Sequence, residues 1–210
     1  MPLSLARRER HELCDLAVLL GADAPTLCGD WTAKQLLAHL FVREHRPLSA
    51  AGLLVPGLGG ITDRSMTRAE RTDHGVLAET MREPGLSPFA LKPVEVLANT
   101  LEYVVHHEDL RRAQPGWEPR SLSEGDLDTI WKAIGRMGRL LVRPAGVPVV
   151  IRRSDTGATS TLRGGEDPVT IDGPVVEVVL YLFGRSEVRD VSLEGPDEAV
   201  ERVELADLGL

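Results

Sequence analysis

The chain has 210 residues, 42% apolar and 27% charged, with 24 Lys and Arg against 32 Asp and Glu and a net charge of −8. This composition supports a buried core and excludes disorder of the whole chain, and the length fits one main domain with a smaller appendage. The acidic balance repels phosphate backbones, the 4% aromatic content leaves little for base stacking, and no apolar run reaches the ~18 residues of a membrane span, so neither nucleic acid nor membrane is expected as a partner.

The first predicted element is a helix over residues 3–20, where Leu5, Leu13, Leu16, Ala17 and Leu20 recur at helical spacing and Gly21 and Pro25 end the run. After a short loop, Asp30 or Thr32 caps a second helix over 31–46 that Pro47 stops. Residues 47–92 are rich in glycine and proline around a charged middle, and they read as a long crossover or lid with one short helix near 66–82. A third long helix begins at Pro93 and runs to Ala113, before Pro115 and Gly116. A fourth spans 123–142, opened by Ser123 with Asp126 three residues on, a capping box with Asp in place of Glu.

From Gly146 the pattern changes to that of strands. Residues 147–153 and 158–162 read as a hairpin around Ser154–Gly157, and 169–172 as a third strand. A helix follows from Gly173 and Pro174 to Phe183, then a strand over 190–193 and a last helix over 196–203. The expected fold class is α+β, with a four-helix domain over 1–145 and a small α+β domain over 146–210. The N-terminus turns charged where a signal peptide needs an apolar stretch, which predicts a cytoplasmic protein with Cys14 and Cys28 reduced.

Of six histidines, His39 and His106 lie in long predicted helices beside apolar stripes. Glu102 and His106 are four positions apart, so a helix places them on one face, one turn apart. A carboxylate oxygen and an imidazole nitrogen so placed can reach one divalent ion. If the second and third helices pack together, His39 completes a His2Glu set, and three protein ligands leave a fourth position open. The same pattern also arises from a half-buried histidine and a surface ion pair. His107 would point about 100° away from His106 on an ideal helix, so His106 is the preferred ligand of the doublet.

Asp109, three residues past His106, can accept the second imidazole N–H and fix the ring's tautomer; a salt bridge to Arg111 or Arg112 is the alternative. Arg43 and Arg46 follow His39 by one and two turns and can clamp a carboxylate substrate or anionic groups of a thiol cofactor. Their alternative is pairing with Glu44 or Glu12. His11, His45 and His74 read as surface residues and Cys14 as core. Cys28 stands in a loop with nothing nearby in sequence to activate it. The stretch Pro56–Gly60 lacks the lysine of a phosphate loop and reads as lid or linker.

Two segments carry a resemblance. The run Cys28-Gly-Asp-Trp-Thr-Ala-Lys-Gln-Leu-Leu-Ala-His39-Leu resembles the G-x-W-T-x-x-x-L-x-A-H-L element of the DinB-like superfamily, in particular the branch containing mycothiol-dependent maleylpyruvate isomerase. The run Leu101-Glu-Tyr-Val-Val-His106-His-Glu-Asp109 resembles that branch's second element, E-x-x-x-H followed shortly by Asp, although Glu108 stands where a tryptophan is common. The resemblance implies a four-helix bundle that holds a divalent metal, usually zinc, through His39, Glu102 and His106. It also implies a small sterol-carrier-like domain after the bundle, and mycothiol as thiol co-substrate in an actinobacterial setting. The expected function is then that of a mycothiol-dependent transferase or isomerase, in which the metal activates a thiol for attack on a small electrophile. A non-catalytic metal- or ligand-binding module and a metal-assisted hydrolase are the alternatives. Monomer and homodimer fit the sequence equally.

Overall fold

The computed structural model describes residues 3–45, 59–83 and 99–209, and leaves the side chains of 59–63 aside. The fold is α+β, and the chain divides into two compact units, Met1–Glu118 and Pro119–Leu210. Among the described residues no helix is long and apolar enough to cross a membrane.

The described part of the first unit is helical: α1 (Leu5–Leu20), α2 (Ala33–His45), α3 (Gly59–Glu70), α4 (His74–Met81) and α5 (Thr100–Arg112). The Ser4 hydroxyl accepts the Arg7 N–H at the start of α1. At its end Gly21, with φ 91°, returns its N–H to the Ala17 carbonyl. One face of α1 buries Leu13, Cys14 and Ala17 against Leu36, Leu37 and Leu40 of α2 and Tyr103 and Leu110 of α5. Burial pushes the Cys14 thiol up to about 12, in keeping with a core role.

The segment expected to be a long crossover or lid with one short helix holds two in its described part. Asp73 separates them, its carboxylate accepting the N–H groups of Gly75 and Val76 at the start of α4. Leu77, Ala78 and Met81 are fully buried in the same core, so this stretch of the crossover packs as part of the helical unit. The rest of 47–92, including Pro56–Leu58, lies outside the described residues.

One charged pair sits inside this core. The Arg10 guanidinium, 1% exposed, grips Glu44 through two bonds of 2.7 and 2.8 Å. It also donates to the Met81 carbonyl at 3.0 Å and lies over the Tyr103 ring, 4.4 Å from its centroid.

The second unit begins earlier than the expected boundary near 145. Helix α6 (Glu124–Leu141) packs within it, against strand β2 (Thr159–Arg163) and helix α7 (Val175–Leu182), for a reason written in its glycines. A Cβ at Gly135 would stand 2.9 Å from the Ser160 Oγ, and one at Gly138 2.9 Å from a Leu162 methyl. The bare face lets the helix lie close on β2. Ser123 caps α6 by accepting the Asp126 N–H, the first half of the expected box, and its hydroxyl donates to the Asp126 carboxylate.

A 3-10 turn (Arg143–Ala145) leads into β1 (Val149–Arg153) and β2 (Thr159–Arg163), then β3 (Val169–Gly173), α7 (Val175–Leu182), β4 (Ser192–Glu194) and α8 (Asp197–Glu204). The sheet order is β2-β1-β3-β4, with β1 parallel to β3 and the outer pairs antiparallel. Val149, Ile151, Val169 and Ile171 alternate into the core and meet the apolar face of α7.

Glu44→Ala strands the Arg10 charge without its partner. The unfolding free energy measured in urea is expected to fall by about 3–5 kcal/mol. A loss below about 1 kcal/mol, the value of an exposed pair, would show that the interaction is not buried as described.

Candidate metal centre

Helix α2 presents His39, and one face of α5 presents Glu102 and His106. Their ligand atoms converge. His39 Nε2 is 3.5 Å and His106 Nε2 3.4 Å from the same oxygen, Oε1 of Glu102. All three candidate ligand atoms lie within 4.8 Å of one another. A tetrahedral ion with bonds of ~2.0–2.1 Å spaces its ligands by about 3.3–3.4 Å. The side chains are thus placed to fit one ion with little movement, and two imidazoles with one carboxylate suit zinc. Side-chain exposures of 15, 19 and 12% leave the cluster reachable from solvent.

The neighbours orient these groups. His106 Nδ1 lies 2.9 Å from Oδ2 of fully buried Asp109, an arrangement that puts the ring proton on Nδ1 and leaves Nε2 as the donor atom. Arg111 and Arg112 each pair with Glu108, at 3.0 and 2.7 Å. Arg43 reaches the cluster. Its Nε is 3.3 Å from Glu102 Oε1, Nη1 donates to Asn99 Oδ1 at 2.8 Å, and Glu44 is 3.8 Å away. The His39 ring lies 5.2 Å from Trp31 and edge-on to His106 at 5.4 Å.

Burial favours the neutral form of Glu102, yet the Arg43 charge and hydrogen bonds from His106 and His39 outweigh it and hold this carboxyl well below the ordinary range. Burial likewise opposes a charged His106. Hydrogen bonds with Asp109, Cys28 and Glu102 outweigh that too and hold the imidazole well above its ordinary value.

The other expectations divide. His107 turns to α1, 2.8 Å from Glu9 and 4.0 Å from Glu12, so it is His106 that shares the cluster with His39. Arg46 lies outside the described residues. The three histidines read as surface residues are half-buried. His11 Nε2 is 3.1 Å from the Arg82 carbonyl, His74 Nε2 is 2.8 Å from the Ala17 carbonyl, and His45 stacks on Phe41.

Cys28, Trp31 and Asn99 join the surroundings without having been singled out for it. Cys28 and Trp31 stand inside the motif that ends at His39, and that proximity was the available signal. Asn99 carried none.

No protein-family model matches the sequence, and no curated protein matches it. Among solved structures, the chain shares the fold of "Crystal structure of the mycothiol-dependent maleylpyruvate isomerase", at 15% identity and a TM-score of 0.60 over 90% of both chains. A histidine-to-alanine mutant of that isomerase matches at 16% identity, with the same TM-score and coverage.

The raised imidazole sets a pH window. In the metal-free protein His106 contributes stability that is fully present below the ordinary value of 6.5 and lost as pH rises through its raised value. A cation needs Nε2 without its proton, so zinc affinity is expected to increase with pH across the same window, each ion displacing a proton from His106. Calorimetry in two buffers of different ionisation heat reads that proton. Identical apparent heats in both would show that His106 is not the proton donor.

Proposed function

We propose that this chain is a divalent-metal protein, zinc being the best-fitting ion, that binds a small thiol and catalyses a thiol-dependent isomerisation or transfer. The observation that carries this is the convergence of His39, Glu102 and His106 at ligand spacing, with solvent access to the fourth side. The shared fold with a mycothiol-dependent isomerase supports mycothiol as the thiol. It also supports a DinB-like metal-binding bundle followed by a small α+β domain of the sterol-carrier-like type, in a cytoplasmic, actinobacterial setting.

A zinc ion held there would supply the Lewis acidity that lowers the pKa of a bound thiol toward neutrality. The residues do the rest. Asp109 fixes the His106 tautomer, and Arg43 keeps Glu102 ionised while bringing positive charge to the side where an anionic electrophile would approach. Addition of the thiolate to a conjugated cis double bond leaves a single bond free to rotate. Elimination of the same thiolate then yields the trans isomer, with thiol regenerated. In transfer the carbon–sulfur bond persists, and the carbanion left by addition takes up the proton that the thiol released.

His39→Ala and His106→Ala are each expected to lose stoichiometric zinc by elemental analysis while remaining folded, and His107→Ala to retain it. Undiminished zinc in both of the first two variants overturns the site. Given a loaded protein, turnover of a model electrophile only with mycothiol supports the proposal. Turnover without any thiol points to hydrolysis, and no turnover with zinc still bound points to a binding module.

A further inference from the structure

Behind His106, on the side away from Glu102, stands a thiol. Cys28 donates its S–H to Asp109 Oδ2 at 3.0 Å, and its sulfur is 3.6 Å from His106 Nδ1. The oxygen it addresses is the one that accepts from His106 at 2.9 Å. Two donors from segments some eighty residues apart therefore meet on a single oxygen of a fully buried carboxylate.

The loop carrying the thiol is itself tied down. The Leu27 N–H donates to the Asp109 carbonyl at 3.0 Å, and Gln114 Nε2 to the Pro25 carbonyl at 3.1 Å. The Cys28 N–H donates to Thr26 Oγ1 at 3.1 Å, and that hydroxyl donates to the Trp31 carbonyl at 2.8 Å. Asp109 is thus held twice by one loop, at its main chain by Leu27 and at its carboxylate by Cys28.

We propose that Cys28 is a positioning residue for His106, acting through Asp109: its S–H pins the carboxylate in the rotamer that orients the imidazole. A thiol is a weak donor. It fixes the oxygen while leaving most of its acceptor strength to the ring, a balance suited to a group that must hold a ligand without drawing the carboxylate away. For its metal readout the inference rests on His106 being a ligand, so a second readout uses the metal-free protein.

The full chain and its Cys28→Ala and Cys28→Ser variants are compared, with Cys28→Val, close to the thiol in volume, replacing the alanine variant if that one does not fold. Zinc affinity by chelator competition is expected to fall about tenfold in Cys28→Ala, the lower end of what loss of an outer partner costs. It should stay near wild type in Cys28→Ser, which keeps a donor. In metal-free protein with 15N-labelled histidine, the His106 Nδ1–H signal is expected to be slowly exchanging in wild type and Cys28→Ser, and broadened or shifted in Cys28→Ala.

An unchanged Nδ1–H signal in Cys28→Ala overturns the proposal. So does a serine variant as impaired as the alanine one, which would make the role one of volume. If wild type binds no zinc, the proposed function falls, and the metal-free spectra alone decide for or against Cys28.

Discussion

Three nitrogens converge on one oxygen. Oε1 of Glu102 is 3.3 Å from Arg43 Nε, 3.4 Å from His106 Nε2 and 3.5 Å from His39 Nε2. A half-buried carboxylate so surrounded stays ionised, and its charge draws α2 and α5 to a common point. The same convergence makes the place apt for a cation, because both imidazoles already face one point and His106 can become a ligand by giving up the proton it holds there. Competition between proton and metal for these nitrogens is the chemical property on which a function here depends.

The unit around that point is built to resist movement. Directly after Arg43 on α2, Glu44 is locked to Arg10 in the core, and directly after His106 on α5, His107 is paired with buried Glu9. Each helix that carries a cluster residue therefore also carries a buried charged or polar contact to α1. Such contacts are costly to break when one partner is removed, and they favour one register between helices over its alternatives. The loop before α2 adds the second wall, with Trp31 against His39 and Cys28 against Asp109.

The later unit follows a different logic. Its strands bury alternate β-branched residues, and its long helix α6 buries Ile130, Ala133, Ile134 and Leu141 and comes close to β2 where Gly135 and Gly138 leave room. Arg153 ties the same helix to β1 through Asp128 and turns its other nitrogens to Asp155. At 15–16% identity the likeness to the isomerase structures is one of fold, so the site's chemistry has to be argued from these residues themselves.

Local pattern determined most elements. Apolar spacing, Ser123, Gly21 and the turn at Gly157 place α1, α2, α6 and the strands within a few residues of their observed bounds, because caps, periodicity and turn glycines act within one or two turns of chain. The i,i+4 spacing of Glu102 and His106 was legible for the same reason. Tertiary structure alone decided what long-range contact controls. It assigned α6 to the later unit by fitting Gly135 and Gly138 to β2, and drew Leu77 and Met81 of the expected crossover or lid into the core. It also placed Asp109 at hydrogen-bond distance from His106, and brought Cys28 across eighty residues to the same oxygen. No local rule encodes those choices, since each depends on which faces meet once the helices have packed.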